Sequence, residues 1–199
     1  TGVQTCALPI WFVVALPSTP ADAKGLLKMA IRTDDPVIFL EHKGLLNSRG
    51  TVSDDPDLLI PFGVASVRRH LAGHGKRVTV VAISGMVSKV LTAADRLAAE
   101  GIDVEVIDPR TIAPLDIGTI IESVRRTGRL LIVDEDYAPC GIGAEVAAQV
   151  VSDAFDYLDA PIKRLNANFT HVPYSPPLEA QVAISISQLD DAIRQAVHG

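Results

Sequence analysis

Three acidic residues in a row, Asp134-Glu135-Asp136, follow an apolar run, and Gly141-Ile142-Gly143 opens the segment after them. A third stretch, Asp108-Pro109-Arg110-Thr111, follows another apolar run. In open α/β sheets, ligands favour the crevice outside the carboxyl ends of the strands. Glycine amides at a helix start can also receive an anion, so together these features suggest an anion or nucleotide site. Their chemistry weakens that suggestion. Two glycines do not complete a dinucleotide fingerprint, and three carboxylates repel a phosphate. The plainer reading gives the glycines to a tight turn and the acids to an interface or a solvated edge.

Other reactive side chains offer less. His70 and His74 are four residues apart, a metal-like spacing. Gly73 and Gly75 interrupt that expected helix, however, and no third ligand lies nearby, whereas zinc needs at least three protein ligands. Solvated surface histidines are the expectation. Cys140 has no base beside it in sequence and is expected to be inert. No Ser/His/Asp arrangement and no Walker loop can be identified. The residues alone yield no complete active site.

The elements that would position these groups follow a clear alternation. Residues 12–16 form an apolar strand closed by Pro17. Thr19 as N-cap, Pro20 in the first helical position and Asp22 in the first turn then start a helix. Its apolar face is Ala23, Leu26, Leu27, Ala30 and Ile31, and Pro36 stops it. Residues 37–40 give a second strand, so this is one βαβ unit with parallel strands. The pattern breaks from residue 41, and residues 44–60 read as a surface linker between domains. Beyond residue 61, apolar strands at 78–83, 104–107, 130–133 and 162–165 alternate with helices. The first helix shows a face of Val87, Val90, Leu91, Ala94, Leu97 and Ala98, with Gly101 as its left-handed C′ residue. Asp116 caps a second helix ended by Gly128, residues 141–155 form a third, and residues 186–197 close the chain. Strands without polar alternation are buried on both faces, which predicts a parallel sheet covered by helices on each side.

Composition sets the outer bounds. The chain has 199 residues, 48% hydrophobic, enough for one core with part of another. A net charge of −6 argues against nucleic acid as the main partner, because phosphate binding needs clustered Lys and Arg. No apolar run approaches the roughly 20 residues a membrane span requires, so no membrane partner is expected. Two cysteines, Cys6 and Cys140, make no disulfide framework, and a reducing cytoplasm is the expected compartment. A mitochondrial location stays open, since the native N-terminus is expected upstream. That expectation comes from residues 1–10, TGVQTCALPI, which resemble the translation of a sequencing-adapter read. Residues 1–11 are therefore expected to be foreign to the fold.

Longer strings carry a family resemblance. PSTPADAKGLLKMAIRTDDPVIFLEHK, residues 17–43, resembles the end of the pyrimidine-binding domain in β subunits of thiamine-diphosphate-dependent 2-oxo acid dehydrogenases, the E1 components acting on pyruvate, branched-chain 2-oxo acids or acetoin. VIDPRTIAPLD (106–116), TGRLLIVDED (127–136), GIGAEVAAQV (141–150), LDAPIKRL (158–165) and VPYSPPLE (172–179) resemble successive signatures of the same subunit's C-terminal domain. The resemblance runs in order from residue 12 onward. It implies residues 12–43 as the end of a pyrimidine-binding domain, 44–60 as linker, and 61–199 as a transketolase C-terminal-like domain of parallel α/β class.

The same resemblance implies a function. The family's enzymes are α2β2 assemblies using thiamine diphosphate and magnesium. They decarboxylate a 2-oxo acid and reductively acylate a lipoyl group on E2, the dihydrolipoyl acyltransferase. Expected partners are thus an E1 α subunit, a second β subunit and E2. The carboxylate that meets the aminopyrimidine and the β subunit's active-site histidine belong upstream, so no catalytic or cofactor-binding residue is carried over, and this part alone is expected to be inactive. Ala30, Ile31, Thr33 and Asp35 fall on the ligand positions of a structural potassium ion, with free carbonyls at a helix end suited to a hard cation. The family usually has Asp at the position of Thr33 and Asn at that of Asp35; the competing reading is an ordinary helix end before Pro36. Asp159 and the terminal Gly199 fall on positions that meet E2. Two other readings compete: another transketolase-superfamily enzyme, such as transketolase or deoxyxylulose-phosphate synthase, and a non-catalytic assembly module. The former share the domain order but not the LDAP and PYSPPLE blocks together.

Overall fold

A computed structural model describes residues 12–198, so the adapter-like stretch 1–11 and Gly199 lie outside the described residues. Strand β1 (Val13–Ala15) leads into helix α1 (Pro20–Arg32). Thr19 is extended, with φ −133° and ψ 161°, and its hydroxyl accepts the Asp22 N–H at 3.1 Å. Pro20 fills a position whose N–H would have gone unused, so α1 starts where its cap signals place it. The chain returns to β2 (Val37–Phe39), which pairs in parallel with β1.

Only part of the expected apolar face of α1 is covered. Asp22, Gly25 and Leu26 are buried, while Leu27 is 45% and Ile31 75% exposed. The strands on either side of this helix belong to a short three-stranded sheet, in the order β2-β1-β6. Residues 44–60 fold back over α1 rather than hanging free. The Ile60 N–H donates to the Gly25 carbonyl at 3.3 Å, and the Ile60 side chain fills the space that a Cβ on Gly25 would need. Lys24 reaches the Ser53 carbonyl, and Lys28 that of Pro56.

The rest of the chain builds a three-layer domain. Its elements are β3 (Ser66–Arg69), β4 (Lys76–Ala82), α2 (Met86–Ala98), β5 (Ile102–Asp108), β6 (Thr111–Ala113), α3 (Ile117–Thr127), β7 (Leu130–Tyr137), α4 (Ile142–Ala154), β8 (Lys163–Ala167), α5 (Pro176–Val182) and α6 (Ile186–His198). Five strands are ordered β3-β5-β4-β7-β8, parallel except for β3, which runs against β5. Val78, Val80 and Ala82 of β4 face α2 and α6, and Val81 with Ile83 faces α3 and α4. Burying each such valine or isoleucine is worth roughly 1.5–3 kcal/mol. Helix ends follow their sequence signals. Asp116 accepts the Thr119 N–H at 3.1 Å, Gly128 closes α3 at φ 70°, and Gly101 takes φ 76° after α2.

Sequence periodicity did not reveal β3, β6 or α5, each seven residues or shorter. One expectation is corrected: His70 and His74 are not on a helix. Strand β3 ends at Arg69, and the chain then turns through Gly73 at φ 87° and Gly75 at φ 84°. Gly75 sits against the Gly101 carbonyl, where a Cβ would collide with backbone. Both histidines are exposed, as expected of solvated side chains.

Strand β6 ties the two parts together. It leaves the five-stranded domain and pairs antiparallel with β1, Val14 against Ala113 and Ala15 against Thr111. The Leu16 N–H also donates to the Arg110 carbonyl at 2.8 Å. The boundary in sequence is thus bridged by backbone hydrogen bonds in space.

Candidate functional site

The Asp108-Pro109-Arg110-Thr111 stretch lies in this seam. Asp22 from α1 and Asp108 from the end of β5 are both fully buried. Arg68 of β3 binds Asp108 at 2.7 Å and also pairs with Asp22, while Arg110 binds the other Asp22 oxygen at 2.8 Å. Ser18 donates to Asp108. Burial pushes the Asp108 carboxyl up, outweighing the Ser18 hydrogen bond and the Arg68 charge. Two carboxylates balanced by two guanidiniums leave no spare charge for a ligand. The stretch joins the two parts and is not an open anion site.

The acidic triplet sits inside the end of β7, and its members differ. Asp134 is buried, and desolvation, with Asp136 and Glu135 nearby, pushes its carboxyl up to about 6. One of its oxygens accepts the Asp136 N–H at 3.1 Å. Glu135 meets His42 Nε2 at 2.5 Å and Lys89 Nζ at 3.3 Å. Burial would raise its carboxyl, but the His42 hydrogen bond, the charge His42 carries when protonated and the Lys89 ammonium hold it below its ordinary value. Asp136 accepts the Tyr137 N–H at 2.8 Å, and its carbonyl receives Asn166 Nδ2 at 3.0 Å. Glu135 thus bridges His42 and α2 within the chain, and burial accounts for Asp134.

The glycines that follow are set by packing. A Cβ on Gly141 would lie 2.5 Å from the Tyr137 carbonyl oxygen, and one on Gly143 would press on Ile132 Cγ2 at 3.2 Å. Gly141 caps α4 without a side-chain hydrogen bond, in keeping with a tight turn. Cys140 precedes it, exposed and at φ 59°.

The positions implied by resemblance lie elsewhere. Helix α1 ends at Arg32, so the carbonyls of Ala30 and Ile31 belong to its free last turn. Thr33 is extended and its N–H bonds the Met29 carbonyl at 3.1 Å, while the Asp35 N–H approaches Thr33 Oγ1 at 3.5 Å. Asp159 follows the 3₁₀ turn Phe155–Tyr157, far from these residues in the chain. Its N–H donates to the Gly128 carbonyl at 2.7 Å, and its carboxylate is 65% exposed, 3.9 Å from Arg129. Gly199 lies outside the described residues.

Two concavities accompany these groups. An apolar groove of about 530 Å³ runs along α4 beside Leu158, lined by Ala147, Val151, Phe155, Pro161 and Ile162. A smaller cavity of about 280 Å³ lies at the start of α1, lined by Ser18, Thr19, Pro20, His42, Leu45 and Leu46 among others. His42 and Arg68 were not singled out from sequence, and Asp22 was read only as a helix-start residue, because the partners that matter here lie 40 to 93 residues away. Among the described residues no group of three or more His, Cys, Asp or Glu could hold a metal, and no helix is long and apolar enough to cross a membrane.

Comparison with known proteins agrees with this architecture. The chain is 45% identical over 186 residues to the β subunit of acetoin:2,6-dichlorophenolindophenol oxidoreductase from Cupriavidus necator, covering 94% of this chain and 54% of that one. It is 43% identical over 181 residues to the pyruvate dehydrogenase E1 component subunit beta of Rhizobium meliloti, covering 91% of this chain and 38% of that one. The chain thus spans about half the length of the curated relatives it matches. Among solved structures it resembles a split-gene transketolase, described as an inactive β4 tetramer, with a TM-score of 0.76 and 26% identity over 96% of this chain and 59% of that one. The family model described as "Transketolase, C-terminal domain" matches residues 68–189, from β3 into α6, and the chain belongs to that family.

Proposed function

We propose that this chain is the C-terminal part of the β subunit of a thiamine-diphosphate-dependent 2-oxo acid dehydrogenase, the E1 component of an α2β2 complex. The observation that carries this reading is the extent of the similarity. Identity of 43–45% to an acetoin oxidoreductase β subunit and a pyruvate dehydrogenase E1 β subunit covers more than nine-tenths of the chain, both the βαβ segment and the larger domain. The transketolase neighbour shares the fold at 26% identity, which favours the dehydrogenase reading over a transketolase or deoxyxylulose-phosphate synthase.

In this reading the chain's residues hold parts in place. The described residues offer no carboxylate cluster for magnesium, so they do not by themselves fit the diphosphate end of the cofactor. Thiamine diphosphate, when bound, supplies the electron sink for decarboxylation. This part of the chain keeps the end of the pyrimidine-binding domain fixed to the C-terminal domain through β6 and the Asp22, Asp108, Arg68 and Arg110 cluster. Beyond it lie the proposed partners: an α subunit, a second β subunit and E2, which Asp159 and Gly199 would meet. The end of α1 and the residues just past it, with Ala30, Ile31, Thr33 and Asp35, form the proposed potassium site.

Co-expression of the full reading frame with an E1 α subunit tests the reading. The purified pair should form a stable assembly and reduce an artificial acceptor with pyruvate, a branched-chain 2-oxo acid or acetoin. Ketol transfer between sugar phosphates, with no acceptor reduction, would assign the chain to the transketolase branch instead.

A further inference from the structure

His42 stands at the junction of the two parts and engages both ring nitrogens. Nδ1 lies 3.1 Å from the Gly44 N–H, and Nε2 lies 2.5 Å from the Glu135 carboxylate. A backbone N–H can only donate, so Nδ1 offers a lone pair and the neutral ring carries its proton on Nε2. That proton points at Glu135, which can only accept. The neutral ring therefore does two jobs: it caps the 3₁₀ turn Lys43–Leu45 and bonds the end of β7.

A second proton would go to Nδ1, the atom that receives the Gly44 N–H. Two donors would then face each other, and the turn would lose its cap. The bond to Glu135 would at the same time become an ion pair, stronger than the neutral one. We propose that His42 is a proton-operated switch at the domain seam, holding the turn Lys43–Leu45 when neutral and releasing it for a tighter grip on Glu135 when protonated.

The surroundings bias this switch. Facing the ring are Glu135 from β7 and, behind it, Lys89 from α2, which binds Glu135 and the Ile184 carbonyl, both at 3.3 Å. Asp134 and Asp136 flank Glu135, and the exposed Glu41 and Lys43 flank His42 in the chain. Gly85, at the start of α2, has no Cβ because one would lie 2.6 Å from His42 Nε2, so the ring is held against that helix end. The hydrogen bond to Glu135 raises the His42 pKa above 6.5, against burial and the Lys89 charge. The turn that would be released carries Leu45 and Leu46, which with Ser18, Thr19 and His42 itself wall the 280 Å³ cavity at the start of α1. Protonation would thus loosen one wall of that cavity while tightening the seam behind it.

The test is an NMR titration of the 199-residue chain between about pH 5.5 and 9, following the His42 ring and the Gly44 amide together. The His42 midpoint should lie above 6.5, and the Gly44 amide should move with the same midpoint. On the acid side, exchange of the Gly44 amide, corrected for its intrinsic rate, should rise about fivefold, the net worth of one hydrogen bond. His42→Asn keeps a cap acceptor that does not titrate, so its Gly44 profile should be flat. Glu135→Gln should lower the ring's midpoint. If the wild-type ring titrates at or below 6.5, or if Gly44 does not follow it, the switch is wrong. A Gly44 profile in His42→Asn that matches wild type would also overturn it.

Discussion

Arg110 and Asp22 meet at 2.8 Å across 88 residues of sequence, one from the loop after β5 and the other from the first turn of α1. Asp22 is fully buried, and Arg68 shares it. This makes the seam between the two parts a packed interior, with β6 closing it by backbone pairing. Breaking such a buried pair from one side leaves an uncompensated charge, at a cost of about 3–5 kcal/mol. Arg68→Met should therefore destabilise the chain by that amount in urea unfolding. A loss below about 1 kcal/mol, the scale of an exposed pair, would show that the cluster contributes little.

How much of this was legible in the sequence depended on the range of each signal. Thr19-Pro20, Asp116 and Gly128 act within a few residues, so α1 and α3 could be placed from their caps alone. The apolar runs at 78–83 and 130–133 marked central strands because both of their faces are covered. By contrast, β3 and β6 are short edge strands that exist only because β5 and β1 present free edges to them. The candidate acids were visible, but not their partners: Glu135 needs His42 and Asp108 needs Arg68, and neither spacing has a local period.

Asp134 gives stability a pH signature. Its carboxyl titrates at about 6 in the fold against 3.8 in the open chain. A raised value means that the folded state holds the proton more tightly, so the contribution is full below pH 3.8 and is lost as pH rises through about 6. The loss is on the order of 3 kcal/mol. Asp134→Asn removes the titration, so the variant should gain on wild type between acid and neutral pH. Urea midpoints at both ends of that window measure it, and a constant gap between the two proteins would contradict the assignment.

The proposed potassium site concerns the last turn of α1 and the three residues after it. If the Ala30 and Ile31 carbonyls, Thr33 and Asp35 hold the ion, the full-length enzyme should melt a few degrees higher in potassium than in a bulky organic cation at equal ionic strength. Thr33 stands where the family usually has an acid, which keeps the expected shift small. Superimposable melting curves would remove the site.

Asp159, between the groove-lining Leu158 and Ala160 in sequence, offers an exposed carboxylate tempered by Arg129 at 3.9 Å. If E2 docks there through basic side chains, Asp159→Asn in the α2β2 enzyme should weaken that binding by about 1–3 kcal/mol, most strongly at low salt. Decarboxylation with an artificial acceptor should be unchanged. Equal E2 affinity of both enzymes at low salt would reduce Asp159 to a turn residue whose N–H bonds the Gly128 carbonyl.

In the proposed function these residues join and orient a cofactor site built mainly by other parts of the enzyme. Calorimetric titration of thiamine diphosphate with magnesium tests it most directly, first into this chain alone and then into the full-length β subunit paired with its α subunit. The account predicts no micromolar binding by the chain alone and clear binding by the assembled pair. Micromolar binding to the isolated chain would contradict it.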